Sequence, residues 1–270
     1  MKKTLGWIFL GCSAGLAHAG TDFDCMIEPA QTVELRSPVV GLIQQLHVRR
    51  GSRVARNSPL VTIDSGVERS AVNVAKFKSE ALGALQVAQS KLQAAQGKAQ
   101  RNRQLYEEEF VSAQARDDAV AEARLAEAEV KSARENLQLA RLEQIQSQEQ
   151  LNRRILRSPF PGVVMNVYLS TGALVDTSES KKAILKLVQT DKLRVEAFVP
   201  LRYFNRIKAG NGVTIRPEAP LTGGVSARVS TVDRVIDSAS GTFGVVVELD
   251  NRNGTVPVGS RCKMAIAGVN

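Results

Sequence analysis

Arg36-Ser37-Pro38 followed by Gly41 recurs as Arg157-Ser158-Pro159 followed by Gly162, and Gly51 with Gly172 and Val54 with Val175 keep the same offset of 121 residues. A few residues are inserted before Leu60-Val61-Thr62-Ile63 is answered by Ile184-Leu185-Lys186-Leu187. Both copies read as short β-branched strands separated by glycine turns. One copy of so small a unit cannot bury its apolar face alone, so the two must pack on each other. Whatever lies between them has to leave that β-unit and come back to it.

The intervening stretch, between Pro59 and Pro159, has no proline, and its only glycines are Gly66, Gly83 and Gly97. Ala, Gln, Glu, Arg and Leu dominate it, residues that lose little on entering a helix. Small and apolar positions repeat at spacings of three and four: Ala119, Ala123, Ala126, Val130, Ala133, Leu137 and Ala140, then Gln144, Ser147 and Leu151. The first half answers with Ala71, Val74, Ala81, Leu85, Ala88, Leu92, Ala95 and Ala99, broken once at Lys78. This is coiled-coil spacing. A turn is expected where Glu107-Glu108-Glu109 gives way to Phe110-Val111-Ser112, with Ser112 as the N-cap of the second arm. The cut leaves near-equal arms, Gly66 to Glu108 and Ala113 to Arg154, each roughly 60–65 Å long at helical rise. An antiparallel hairpin inserted into the β-unit satisfies both constraints.

After Asp191 the pattern changes. Leu193 to Val199 alternates like a half-buried strand, a helical turn is expected over Leu201 to Ala209, and further strands fit Val213 to Arg216, Ser226 to Val235, Phe243 to Leu249 and Cys262 to Ala267. Several short strands with one small helix read as a closed or nearly closed barrel. The N-terminus reads as a cleavable secretory signal: Lys2 and Lys3, an apolar run from Leu5 to Leu16, then Ala17-His18-Ala19 before Gly20. The run is too short to span a membrane. Cys12, as a lipidated cysteine, is the rival reading of the same segment. Cleavage after Ala19 lowers the formal charge of +9 by the two lysines and leaves a scattered basic surface; with export, this excludes nucleic acid as a partner. Cys25 and Cys262 remain, an even pair in an oxidising compartment.

Together these features resemble the periplasmic adaptor (membrane-fusion) proteins of RND, ABC and MFS pumps. The fold implied is α+β, elongated and multi-domain: a split lipoyl-like β-domain with an inserted α-helical coiled-coil hairpin, followed by a small antiparallel β-barrel. On that plan residues 1–19 are signal, 20–35 an N-terminal segment, 36–64 and 155–189 the two lipoyl-like halves, 65–154 the hairpin and 190–270 the barrel. Val195-Glu196-Ala197-Phe198-Val199-Pro200 and Gly210-Asn211-Gly212-Val213 match the family's barrel entry and turn, while Asp237-Ser238-Ala239-Ser240-Gly241-Thr242 departs from its usual run.

Adaptors of this kind that engage TolC-like channels share an Arg, a Leu four residues on and a Ser seven beyond that; Arg101, Leu105 and Ser112 keep the spacing at the expected tip. The resemblance implies a TolC-like outer-membrane channel and an inner-membrane transporter (RND first, ABC or MFS otherwise) as partners, and a homo-oligomer of six copies. It also implies a minimal form without a membrane-proximal domain. A Cys25–Cys262 disulfide is expected to anchor the N-terminal tail to the barrel. No enzyme, cofactor or metal site is expected. His47, the one histidine outside the signal, sits between apolar neighbours; Met26, Met165 and Met264 are dispersed; no phosphate-cradling loop is present. An envelope coiled-coil protein and a lipoyl-type carrier are the alternatives, each explaining only part of the chain.

Overall fold

The computed structural model describes residues 21–176, 182–219 and 223–269; the signal segment with Cys12 lies outside them. The repeat governs the centre of the molecule. From the first copy and its approach come β2 (Thr32–Leu35), β3 (Gly41–Leu46), β4 (Arg53–Val54) and β5 (Pro59–Ile63). From the second come β6 (Ile155–Arg157), β7 (Gly162–Val167), β8 (Leu174–Val175) and β9 (Leu185–Val188). They form two four-stranded sheets, ordered β2-β9-β7-β4 and β6-β5-β3-β8. Replacing each strand of one sheet by its repeat mate generates the other, so each sheet takes two strands from each copy.

The repeated residues play repeated parts. Ser37 and Ser158, 6% and 1% exposed, each donate from Oγ to the carbonyl two residues on, that of Val39 at 2.5 Å and of Phe160 at 2.6 Å. Gly51 and Gly172 adopt left-handed φ values of 82° and 85°, which a side chain resists. Gly162 serves close approach instead: a Cβ there would sit 2.3 Å from the Val188 carbonyl oxygen on the neighbouring strand. Ile43, Leu60, Val61, Ile63, Val164, Ile184, Leu185 and Leu187, none more than 1% exposed, fill the space between the sheets.

Between β5 and β6 the chain runs out and back as α1 (Gly66–Glu80), α2 (Gly83–Glu107) and α3 (Ala113–Asn152). The second arm is one helix, and every seam position expected from the spacing, Ala119 through Leu151, is buried or half-buried. The first arm is broken, contrary to the single helix expected: Ala81 is extended, with φ −75° and ψ 98°. The break also shifts the seam. In α1 it is Val72, Ala75 and Ser79 that face α3, while Ala71 and Val74 are exposed; in α2 the expected Leu85, Ala88, Leu92, Ala95 and Ala99 face it. The reason is visible in the residues. Carrying the phase of α1 forward would line the seam with Gln86, Gln89, Gln93, Gln96 and Gln100. Resetting it by one residue puts leucines and alanines there and the glutamines outside. At the base, Arg154 joins the Glu68 carboxylate and donates to the Val40 carbonyl at 2.7 Å, clamping both arms to the sandwich.

The remaining strands close a six-stranded barrel in the order β1-β10-β13-β12-β11-β14. These are β1 (Asp22–Pro29), β10 (Lys192–Pro200), β11 (Gly212–Pro217), β12 (Val225–Asp237), β13 (Thr242–Asp250) and β14 (Arg261–Ile266). The segment before the first copy is therefore a barrel strand and not a tail. Its Phe23, Cys25 and Ile27 point inward, 4%, 6% and 0% exposed. Cys25 and Cys262 face each other in register on β1 and β14 and are joined by a disulfide, Cα atoms 4.9 Å apart. The helical turn expected over Leu201 to Ala209 is shorter, a 3-10 turn at Leu201–Tyr203. Tight turning there drops Tyr203 and Ile207 into the barrel mouth, with Phe204 edge-on to Phe243 at 5.2 Å.

Candidate docking site at the hairpin tip

The tip is held by backbone hydrogen bonds and a cap. α2 ends in a Schellman turn: the Phe110 N–H donates to the Leu105 carbonyl at 2.8 Å, and the Glu109 N–H to that of Tyr106 at 3.0 Å. Glu109 takes the left-handed position with φ 63°. Ser112, extended at φ −72° and ψ 155°, accepts from the Ala115 N–H at 3.2 Å and starts α3, as the sequence implied. Asn102 Nδ2 donates to the Ala115 carbonyl at 3.1 Å and ties the two arms one turn below the end. The Arg116 guanidinium lies 4.3 Å from the centre of the Tyr106 ring and pairs with Asp117 at 2.8 Å. That Asp117 hydrogen bond, first among its causes, raises the Arg116 pKa further.

On this rigid frame Arg101 and Leu105 stand four residues apart on one face of α2. Both are exposed, Leu105 at 38%, and the Arg101 side chain makes no hydrogen bond or ion pair among the described residues. Ser112 belongs to the opposite arm, and the three residues make no hydrogen bond to one another. Arg101 and Leu105 are thus free to meet a partner, while Ser112 is engaged in shaping the turn. Sequence reasoning missed Phe110, 74% exposed at the outermost point, and Tyr106, 37% exposed beside it. An aromatic residue in a turn that follows three glutamates was the available signal. Lys98–Glu122 at 2.7 Å and Lys91–Glu129 at 3.2 Å flank the seam farther down, both exposed. Among the described residues, no helix is long and apolar enough to cross a membrane, and no group of three or more His, Cys, Asp or Glu could hold a metal ion.

The family model for the CzcB-like, barrel-sandwich hybrid domain matches residues 31–185. A curated Haemophilus influenzae protein, described as uncharacterized, is 25% identical over 229 residues, 85% of this chain and 52% of the relative. The chain thus spans about half the length of the curated relative it matches. Among solved structures, MacA from Actinobacillus actinomycetemcomitans gives a TM-score of 0.76 at 23% identity, covering 92% of this chain and 78% of that one. The membrane fusion protein Spr0693 from Streptococcus pneumoniae R6 gives 0.63 at 14% identity, covering 93% and 100%. At such identities the likeness is one of fold.

Proposed function

Because the chain belongs to the CzcB-like barrel-sandwich hybrid family, whose members are membrane-fusion (periplasmic adaptor) proteins, we propose that it is the adaptor subunit of a tripartite efflux or secretion pump. It bridges an inner-membrane transporter to a TolC-like outer-membrane channel from the periplasm, after removal of its signal. The observation that carries this reading is the tip: an Arg101–Leu105 face left open on a turn that Ser112 and a Schellman motif hold rigid. In this reading residues 36–64 and 155–189 are a lipoyl-like domain split by the hairpin, and six copies stack their sandwiches and barrels as rings beneath a tube of hairpins. The role is mechanical. The rod supplies reach, the β-domains hold it upright, and the transporter supplies the energy.

At the channel, Arg101 donates to carbonyls or carboxylates and Leu105 packs into a groove between channel helices. Losing one such contact costs about 1–2 kcal/mol per copy, and repetition around a ring amplifies the loss through avidity. Arg101→Asp and Leu105→Asp are therefore expected to abolish pump activity and pull-down of the channel, while secretion and oligomer size stay unchanged. Lys131→Glu is the control. Lys131 lies far from the tip and loses only a loose pair with Glu135 at 3.9 Å, which contributes little. Tip variants that pump normally while the control does not would place docking elsewhere.

A further inference from the structure

The sandwich and the barrel meet around a cavity of about 330 Å³, with Arg53 and Val163 on the sandwich wall and Asn251, Gly254 and Val256 on the barrel wall. Asp191, in the linker between β9 and β10, lines it as well. Asn251, 4% exposed, is fully engaged: Oδ1 accepts from the Val256 N–H at 3.0 Å, and Nδ2 donates to the carbonyls of Val256 at 2.9 Å and Thr190 at 3.0 Å. Its own N–H donates to the Asp191 carbonyl at 2.8 Å. The barrel loop 251–256 is thereby fixed to the linker.

The Asp191 side chain is in the opposite condition. Its Oδ1 is buried without a hydrogen-bond partner, the one such side-chain atom among the described residues. A buried carboxylate oxygen left unpaired is costly, and native structures rarely keep one without a use. The Arg53 side chain, on β4 across the cavity, makes no hydrogen bond or ion pair among the described residues. Its guanidinium extends toward the barrel loop, where a Cβ added to Gly254 would lie 3.8 Å from Nη2. Arg252, the other cation lining the cavity, is paired with Asp250 at 3.3 Å. One unengaged cation on the sandwich and one orphaned anion at the hinge thus border the same small space.

We infer that the junction has a latched state in which Arg53 enters the cavity and its guanidinium binds the Asp191 carboxylate, drawing the sandwich onto the barrel. The arrangement in the structure is the unlatched one. A planar guanidinium matches a carboxylate bidentately, and partial removal from water strengthens the pair beyond a surface ion pair. Because the rod is clamped to the sandwich through Arg154 and Glu68, the latch sets the angle at which the hairpin leaves the barrel, whatever the tip engages.

The test uses the complete secreted chain with spin labels on Arg56→Cys and Glu248→Cys, both exposed; the native cysteines are bonded to each other and take no label. Pulsed electron-electron distance measurements are expected to show two populations, one shorter than the unlatched arrangement gives. Asp191→Asn, which keeps the side chain's shape, and Arg53→Gln, on an exposed residue, should each reduce the shorter population at least about fivefold. Arg53→Asp combined with Asp191→Arg should restore it. A single population matching the unlatched arrangement and indifferent to both single substitutions overturns the latch, leaving Asp191 merely hydrated. So does a loss that the exchanged pair fails to rescue.

Discussion

Glu109 shows how much of a site can hide from the sequence. A left-handed backbone costs a residue with a Cβ about 1–2 kcal/mol, and the position after a helix C-cap belongs to glycine by preference. Yet glutamate is a good helix former, and nothing in Glu107-Glu108-Glu109 marks the third as the one that turns. Glu109→Gly is accordingly expected to stabilise the hairpin by about 1 kcal/mol with the turn unchanged, read as a higher midpoint of thermal unfolding by far-UV circular dichroism. A lower midpoint would mean that the glutamate side chain itself supports the turn. Ser112→Ala is expected to cost about 1 kcal/mol in the same measurement, since it removes the bond to the Ala115 N–H. Ser112 was legible because cap chemistry is local: a hydroxyl just before a helical run has one obvious use. Phe110 was not, because exposure is a property of the folded surface and an aromatic side chain reads first as core.

At the scale of the element, α3 was legible along its length because one unbroken helix keeps one phase. The first arm was legible only from Leu85 onward. Extending that phase backward names Ala71 and Val74, yet Val74 is 57% exposed and its neighbour Ala75 only 6%. Periodicity reports a seam but not a change of phase, and the one breaker beside Ala81 and Leu82 is Gly83, a lone glycine of a kind that helices tolerate. The glutamines at positions 86, 89, 93, 96 and 100 were the missing signal, since polar residues at coiled-coil spacing mark the face that stays out. One added residue would make the two phases continuous. Inserting an alanine between Ala81 and Leu82 is therefore expected to fuse α1 and α2 into a single helix, with higher helicity by circular dichroism and no loss of thermal stability. A fall in helicity would show that the break, and not the phase, is what the arm requires.

In chain order the molecule is nested, barrel strands outside the sandwich and the sandwich outside the rod. β5 and β6 are antiparallel neighbours, with Thr62 opposite Ile155, so the rod leaves and re-enters at adjacent points. Replacing residues 66–152 with a short glycine-serine turn is expected to give a secreted protein with little helix, an intact Cys25–Cys262 bridge by thiol labelling, and no channel binding. Free thiols in that variant would mean that the β-domains need the rod to fold. The repeat made the sandwich legible from its glycines and serines, because both copies solve the same turn problems with the same residues. The barrel's first strand was missed although Phe23, Cys25 and Ile27 alternate, because its partners β10 and β14 lie at the other end of the chain. That remoteness has a consequence in time. On the proposed route, export N-terminus first, β1 emerges well before β14, so the barrel cannot close until β14 has crossed. Cys25 would then meet an oxidant before Cys262, 237 residues later in the chain, arrives. On that route the bridge marks the arrival of β14: a chain stalled between β9 and β14 has its sandwich and rod complete but carries an unpaired thiol at Cys25.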